Sequence, residues 1–133
     1  MLASGQAYPL AIAVDATSVY WTTSASGTGM GLPLYTVMKV PLGGGTPTTL
    51  ASGQGQLGFA AIDAENVYWT NTDAGTVMKV PLAGGTPATL ASTQMMPLGI
   101  AVDGTSVAWM TIQTSAGTVL RFDKQACQNG ACR

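Results

Sequence analysis

No histidine occurs among these 133 residues, and only 8% of them are Asp, Glu, Lys or Arg. The first absence excludes every catalytic dyad or triad that runs through an imidazole. With two cysteines as the only thiols, it also leaves a zinc ligand set incomplete, so no metal site is expected. The second absence is far from the roughly one quarter of charged residues usual in soluble domains. Five basic and six acidic residues give a net charge of −1 with no basic stripe, which argues against nucleic acid as a partner. No apolar run approaches the roughly 18 residues of a membrane-spanning helix. Met1-Leu2-Ala3-Ser4-Gly5-Gln6 lacks the basic and apolar regions of a secretion signal. Gly43-Gly44-Gly45 is followed by neither a helical pattern nor Gly-Lys-Ser/Thr, so it is not a phosphate loop. Thr, Ser, Gly and Asn supply the surface polarity, a composition that fits a secreted or cell-surface bacterial protein.

What is present is a sentence repeated three times. Leu2-Ala3-Ser4-Gly5-Gln6 leads through Ile12-Ala13-Val14-Asp15 to Val19-Tyr20-Trp21-Thr22. Leu50-Ala51-Ser52-Gly53-Gln54 leads through Ala61-Ile62-Asp63 to Val67-Tyr68-Trp69-Thr70, and Leu90-Ala91-Ser92-Thr93-Gln94 leads through Ile100-Ala101-Val102-Asp103 to Val107-Ala108-Trp109. Asp15 and Asp63 lie 48 positions apart, Asp63 and Asp103 only 40. The first repeat carries its excess of eight residues between Trp21 and Val37, in a Gly-, Ser- and Thr-rich stretch ending at Pro33, which reads as a long hairpin loop. A period of about 40 residues means an array of one supersecondary unit.

Each unit reads as strands. A short apolar run ends at an aspartate and a polar turn, and Val-Tyr-Trp-Thr then brings the β-branched and aromatic residues that suit a pleated surface. A third strand follows at Thr36–Leu42, Thr76–Leu82 and Thr118–Phe122, and a glycine turn leads to a fourth that begins Thr46-Pro47 or Thr86-Pro87. Proline cannot donate to a ladder, so the fourth strand is expected at a sheet edge. No segment sustains a helical period.

Four short antiparallel strands per 40 residues are the grammar of a β-propeller blade. Ile12-Ala13-Val14-Asp15, Val19-Tyr20-Trp21-Thr22 and the later Thr-Val-Met-Lys-Val-Pro-Leu resemble the YWTD repeat of the low-density-lipoprotein-receptor class B type, and the related repeats of bacterial secreted propellers. The last letter departs: Thr23 or Asn71 stands in place of the aspartate, and the third copy keeps only Trp109. The resemblance implies an all-β partial propeller of three four-stranded antiparallel blades, half of a six-bladed ring. Blade one spans about 7–52, blade two about 55–92 and blade three about 95–133. Three blades leave a ring open, so the chain is expected to be completed by a second copy as a homodimer or by the remaining blades of a longer chain.

The repeat also sorts the candidate functional residues. Asp15, Asp63 and Asp103 open Asp-x-x-Ser or Asp-x-x-Asn turns, where a carboxylate accepts backbone N–H bonds. The alternative is a ring of carboxylates at the channel mouth that contacts a polar ligand or a cation. Trp21, Trp69 and Trp109 recur mid-strand, as a core between sheets requires. Tyr8, Phe59 and Met96 break the pattern at one face of the propeller and are the expected binding surface. Cys127 and Cys132 flank an Asn129-Gly130 turn and are expected to form a disulfide. The function read from these residues is a non-enzymatic binding or scaffolding module, without a cofactor, that engages a protein or glycan. Its rivals are a fragment of a lactonase- or lyase-type propeller enzyme and a lectin-like propeller.

Overall fold

The computed structural model of the chain describes residues 1–25 and 34–127. The first sheet contains β1 (Pro9–Val14), β2 (Ser18–Ala25), β3 (Leu34–Pro41) and β4 (Thr48–Gln54). The second contains β5 (Leu57–Ile62), β6 (Asn66–Asn71), β7 (Thr76–Pro81) and β8 (Ala88–Ala91). The third contains β9 (Pro97–Val102), β10 (Ser106–Ile112) and β11 (Gly117–Asp123), followed by a 3-10 turn at Lys124–Cys127. Each sheet is an antiparallel meander in chain order, so sequential strands are hydrogen-bonded neighbours throughout. The inner strands β1, β5 and β9 lie side by side in turn. The three sheets are consecutive blades of a partial β-propeller.

Alternation along the second strand builds the core. Successive side chains of a strand point to opposite faces, so Tyr20 and Thr22 lie on one face of the first sheet, Val19 and Trp21 on the other. Tyr20, Val37 and Ala51 of the first sheet pack against Val67, Trp69 and Val80 of the second. Tyr68 and Val77 of the second then pack against Val107 and Trp109 of the third. The middle sheet is therefore covered on both faces, and every residue of β6 is buried. Trp69 and Trp109 take the expected core place between sheets and are 0% and 5% exposed, whereas Trp21, 6% exposed, lies outside both inter-sheet cores and donates to Gln6 of the N-terminal segment. Burying a valine of this core is worth about 1.5–3 kcal/mol, and Val37, Val77 and Val80 are closed off entirely or nearly so.

Two details depart from expectation. Pro47 and Pro87 precede the fourth strands rather than sit within them, because β4 and β8 begin at Thr48 and Ala88. Their approach runs through Gly44 and Gly84, whose φ of 89° and 92° no side-chain-bearing residue adopts readily. The third sheet shows three strands rather than four among the described residues. The long loop of the first repeat falls mainly on 26–33, outside the described residues, but the strands flanking it pair through Ser24 with Tyr35. Cys132 lies outside them too, and with it the expected Cys127–Cys132 bond.

Candidate functional site

The inner strands have two ends, and the sequence placed candidates at both. At their C-terminal end the aspartates close turns. Asp15 Oδ1 accepts the N–H groups of Thr17 and Ser18 at 2.7 and 2.8 Å. Asp63 Oδ1 accepts those of Glu65 and Asn66 at 2.8 Å each, and Asp103 Oδ1 those of Thr105 and Ser106 at 2.7 Å each. The second oxygen is also engaged: Tyr20 donates to Asp15 at 2.8 Å and Tyr68 to Asp63 at 2.7 Å. Ala108 removes that tyrosine from the third blade, where Ser106 Oγ reaches Asp103 instead. Among the described residues no three Cys, Asp or Glu side chains gather as a metal ligand set.

These bonds set the ionisation of the carboxylates. The Thr17 N–H, aided by its hydroxyl and by Tyr20, lowers Asp15 from 3.8 to about 2. The N–H groups of Thr105 and Ser106 do the same for Asp103. Burial pushes Asp63 up, yet the Lys124 ammonium, the Glu65 N–H and the Tyr68 hydroxyl outweigh it and bring the group to about 2. The tyrosines shift the other way, raised first by burial and then by the carboxylate each one donates to.

Lys124 is the residue that sequence reasoning passed over. Its ammonium lies 2.5 Å from Asp63 Oδ2 and 5.2 Å from the Tyr68 ring centre, so the third blade clasps the second through it. It also donates to the Asp103 carbonyl. The signal was available in the register. The N–H groups of Leu42, Leu82 and Lys124 all donate to the preceding turn, to Thr17, Glu65 and Thr105, so Lys124 occupies the leucine position of the repeat. Lys39 makes the corresponding link between blades one and two, donating to the Leu82 carbonyl at 2.9 Å beneath the Tyr20 ring.

At the opposite end the geometry is apolar. Tyr8 and Met96 occupy one repeat position just ahead of β1 and β9, and both hold φ at 43°. Left-handed backbone costs a residue with a β-carbon about 1–2 kcal/mol, and here bonds from the second strands accompany it. Ser24 N–H is shared between the Ala7 carbonyl at 3.1 Å and the Tyr8 carbonyl at 3.4 Å, and Ile112 N–H reaches the Met96 carbonyl at 3.3 Å. Phe59 enters from β5, where the register with β6 shifts between Leu57 and Ala60. The shift frees its N–H, which Thr70 Oγ1 accepts at 3.3 Å while donating to the Leu98 carbonyl of the next blade at 2.7 Å. Thr22 accepts the Ala11 N–H in the same way. Tyr8, Phe59 and Met96 are 71%, 55% and 54% exposed, and Met95 next to Met96 is 58% exposed; Leu10, also 58% exposed, lines a groove with Ile12 and Trp21 on the open face of the first blade. The strands thus present a rim of large apolar side chains at the end where β1, β5 and β9 begin. The aspartates lie at the other end, so the two groups of candidates do not form one site.

No family model matches the sequence, and no curated protein does. Among solved structures the fold is similar to a chain in the crystal structure of a nidogen/laminin complex, with a TM-score of 0.72 and 21% identity. The match covers 88% of this chain and 44% of that one, so this chain spans less than half the length of its neighbour. At this identity the likeness shows the fold alone, that of a partial β-propeller with three antiparallel sheets.

Proposed function

We propose that the chain is a non-enzymatic, extracellular β-propeller binding module of the YWTD-like kind, working in a ring completed by further blades and engaging a protein through its apolar rim. The observation that carries this reading is the rim itself. Isolated exposed apolar residues are ordinary, whereas Tyr8, Phe59, Met95 and Met96 stand toward one end of adjacent inner strands and are more than half exposed. Clustered exposure of this kind marks interaction surfaces, and aromatic residues and methionine are enriched at the centres of protein interfaces. Backbone held left-handed at Tyr8 and Met96 adds to the case, because such strain gathers at binding positions. The structural neighbour comes from a protein complex, which accords with a protein ligand.

The test compares the chain with its Tyr8→Ser/Phe59→Ser/Met96→Ser variant on arrays of immobilised extracellular proteins, laminin among them, and of glycans. Selective binding to a protein, weakened at least about tenfold in the variant, is expected. Equal binding by the variant overturns the reading, and binding confined to glycans replaces it with the lectin reading.

A further inference from the structure

The turns that close the inner strands share one frame, and the third departs from it. Ala16 and Ala64 follow the aspartates of the first two turns, whereas Gly104 follows Asp103 and makes the one Asp-Gly pair of the chain. Asp15 and Asp63 each hold a tyrosine hydroxyl on their second oxygen, which Ala108 denies to Asp103. Asp15 and Asp63 are half-buried, while Asp103, Gly104 and Thr105 are exposed in a row. A β-carbon on Gly104 would meet nothing within 4 Å, and its φ lies outside the left-handed region. Neither crowding nor backbone conformation therefore calls for glycine at this position.

What glycine removes is the bulk beside its own nitrogen. The bond from Thr105 N–H to Asp103 Oδ1 closes an Asx turn, a ring that includes Asp103 Cγ and Gly104 N and folds the carboxyl carbon back over that nitrogen. Oδ1 accepts the Thr105 and Ser106 N–H groups at 2.7 Å each and the Thr105 hydroxyl at 3.0 Å. Two backbone donors at that distance are the arrangement that stabilises an oxygen gaining charge while its carbon is attacked. Ser106 Oγ stands 3.2 Å from Oδ2, where its hydroxyl can relay a proton from solvent to a departing oxygen. Nucleophile, carboxyl and donors are thus held in one turn, as a fast intramolecular reaction requires. In the first two turns a methyl group flanks the nitrogen, and a tyrosine hydroxyl engages the oxygen that would have to leave.

We infer that Asp103 is a site of spontaneous modification, isomerising to isoaspartate through a cyclic imide with Gly104. Gly104 N forms a bond to Asp103 Cγ and gives up its proton to solvent, and Oδ2 takes up protons and leaves as water. Water then adds to either carbonyl of the imide. Breaking the bond from nitrogen to Cγ restores aspartate. Breaking the bond from nitrogen to the main-chain carbonyl carbon routes the chain through the β-carbon and Cγ and leaves the former main-chain carbonyl as a carboxylate side group. The water lost is matched by the water regained, so the change needs no oxidant and no co-reactant. Isoaspartate adds a methylene to the main chain of the turn and turns the carboxyl that gathered its N–H groups into a peptide bond. The Asp103 carbonyl that receives the Lys124 ammonium is converted at the same time, so the modification reaches the clasp between the second and third blades.

The full chain, carrying Asn129→Ser to remove the Asn-Gly pair that yields isoaspartate by a related route, is aged folded in neutral and mildly acidic buffer. Electron-transfer fragmentation of its peptides then locates isoaspartate, and methyl labelling by an isoaspartyl methyltransferase counts it. Isoaspartate is expected to accumulate at position 103 and to stay at background at Asp15 and Asp63. Gly104→Ala installs the residue that the first two turns already carry, so its circular dichroism should match the parent while the signal at 103 is lost. Isoaspartate no more abundant at 103 than at Asp15 and Asp63, undiminished accumulation in Gly104→Ala, or accumulation confined to chain unfolded in urea overturns the inference.

Discussion

Asp63 and Lys124 show how one residue alters a repeat. The Asp63 carboxylate is held near 2 in the folded chain, and an unfolded aspartate titrates near 3.9. A carboxylate lowered on folding contributes stability above the unfolded value and loses it as pH falls toward the folded one. Asp15 and Asp103 shift in the same direction, to about 2. The melting temperature should therefore be steady between about pH 7 and 5 and fall between about pH 4 and 2. Lys124→Leu restores the residue that the repeat carries at Leu82 but leaves Asp63 without its ammonium. We expect a loss of about 1–2 kcal/mol at neutral pH, below the cost for a fully buried pair because both groups keep some water, and an acid transition displaced to higher pH. Thermal melts across pH check both effects, and an unchanged acid transition would dismiss the role given to Lys124.

The same pair marks the limit of what the sequence discloses about the site. An Asp-x-x-Ser turn is local, and its hydrogen bonds follow from spacing alone. The bond from Tyr68 to Asp63 depends on the hairpin folding back over itself, and that from Lys124 on two blades meeting. Asn71 illustrates the point in another way. It stands where the other repeats have Thr23 and Thr111, and its longer amide approaches Gln54 Oε1 at 3.4 Å. That oxygen would otherwise serve Trp69 as Gln6 serves Trp21, and Trp69 Nε1 makes no hydrogen bond among the described residues.

At the scale of the element, strands were legible because a strand needs little more than alternation, β-branching and turn residues. The shifts in register within the inner strands were not, since they depend on Thr22 and Thr70 hydroxyls accepting N–H groups that the ladder leaves over. Equivalent strands also differ in worth. β7 and β11 share a pattern, but Val77 is closed between two blades while Val119 stands 76% exposed. Val77→Ala should cost about 2 kcal/mol, the transfer of two buried carbon groups plus a small cavity. Val119→Ala should stay within about 0.5 kcal/mol in the single chain. Urea denaturation at low protein concentration makes the comparison, and equal losses would mean that the repeat position rather than its burial sets the energy.

For the whole molecule, the middle blade is the only one of the three sheets here with a sheet on both faces, and the chain has two internal interfaces. Stability of an array of this kind is close to a sum of unit terms and nearest-neighbour interface terms. A change inside an interface should therefore cost far more than one outside both. Trp69→Ala empties the core between the first and second blades and should cost about 3–5 kcal/mol. Ile12 is 74% exposed and packs in neither core, so Ile12→Ser should stay within about 0.5 kcal/mol. Scanning calorimetry makes the comparison, and equal losses would mean that stability is spread evenly over the sheets instead of being held at their two interfaces.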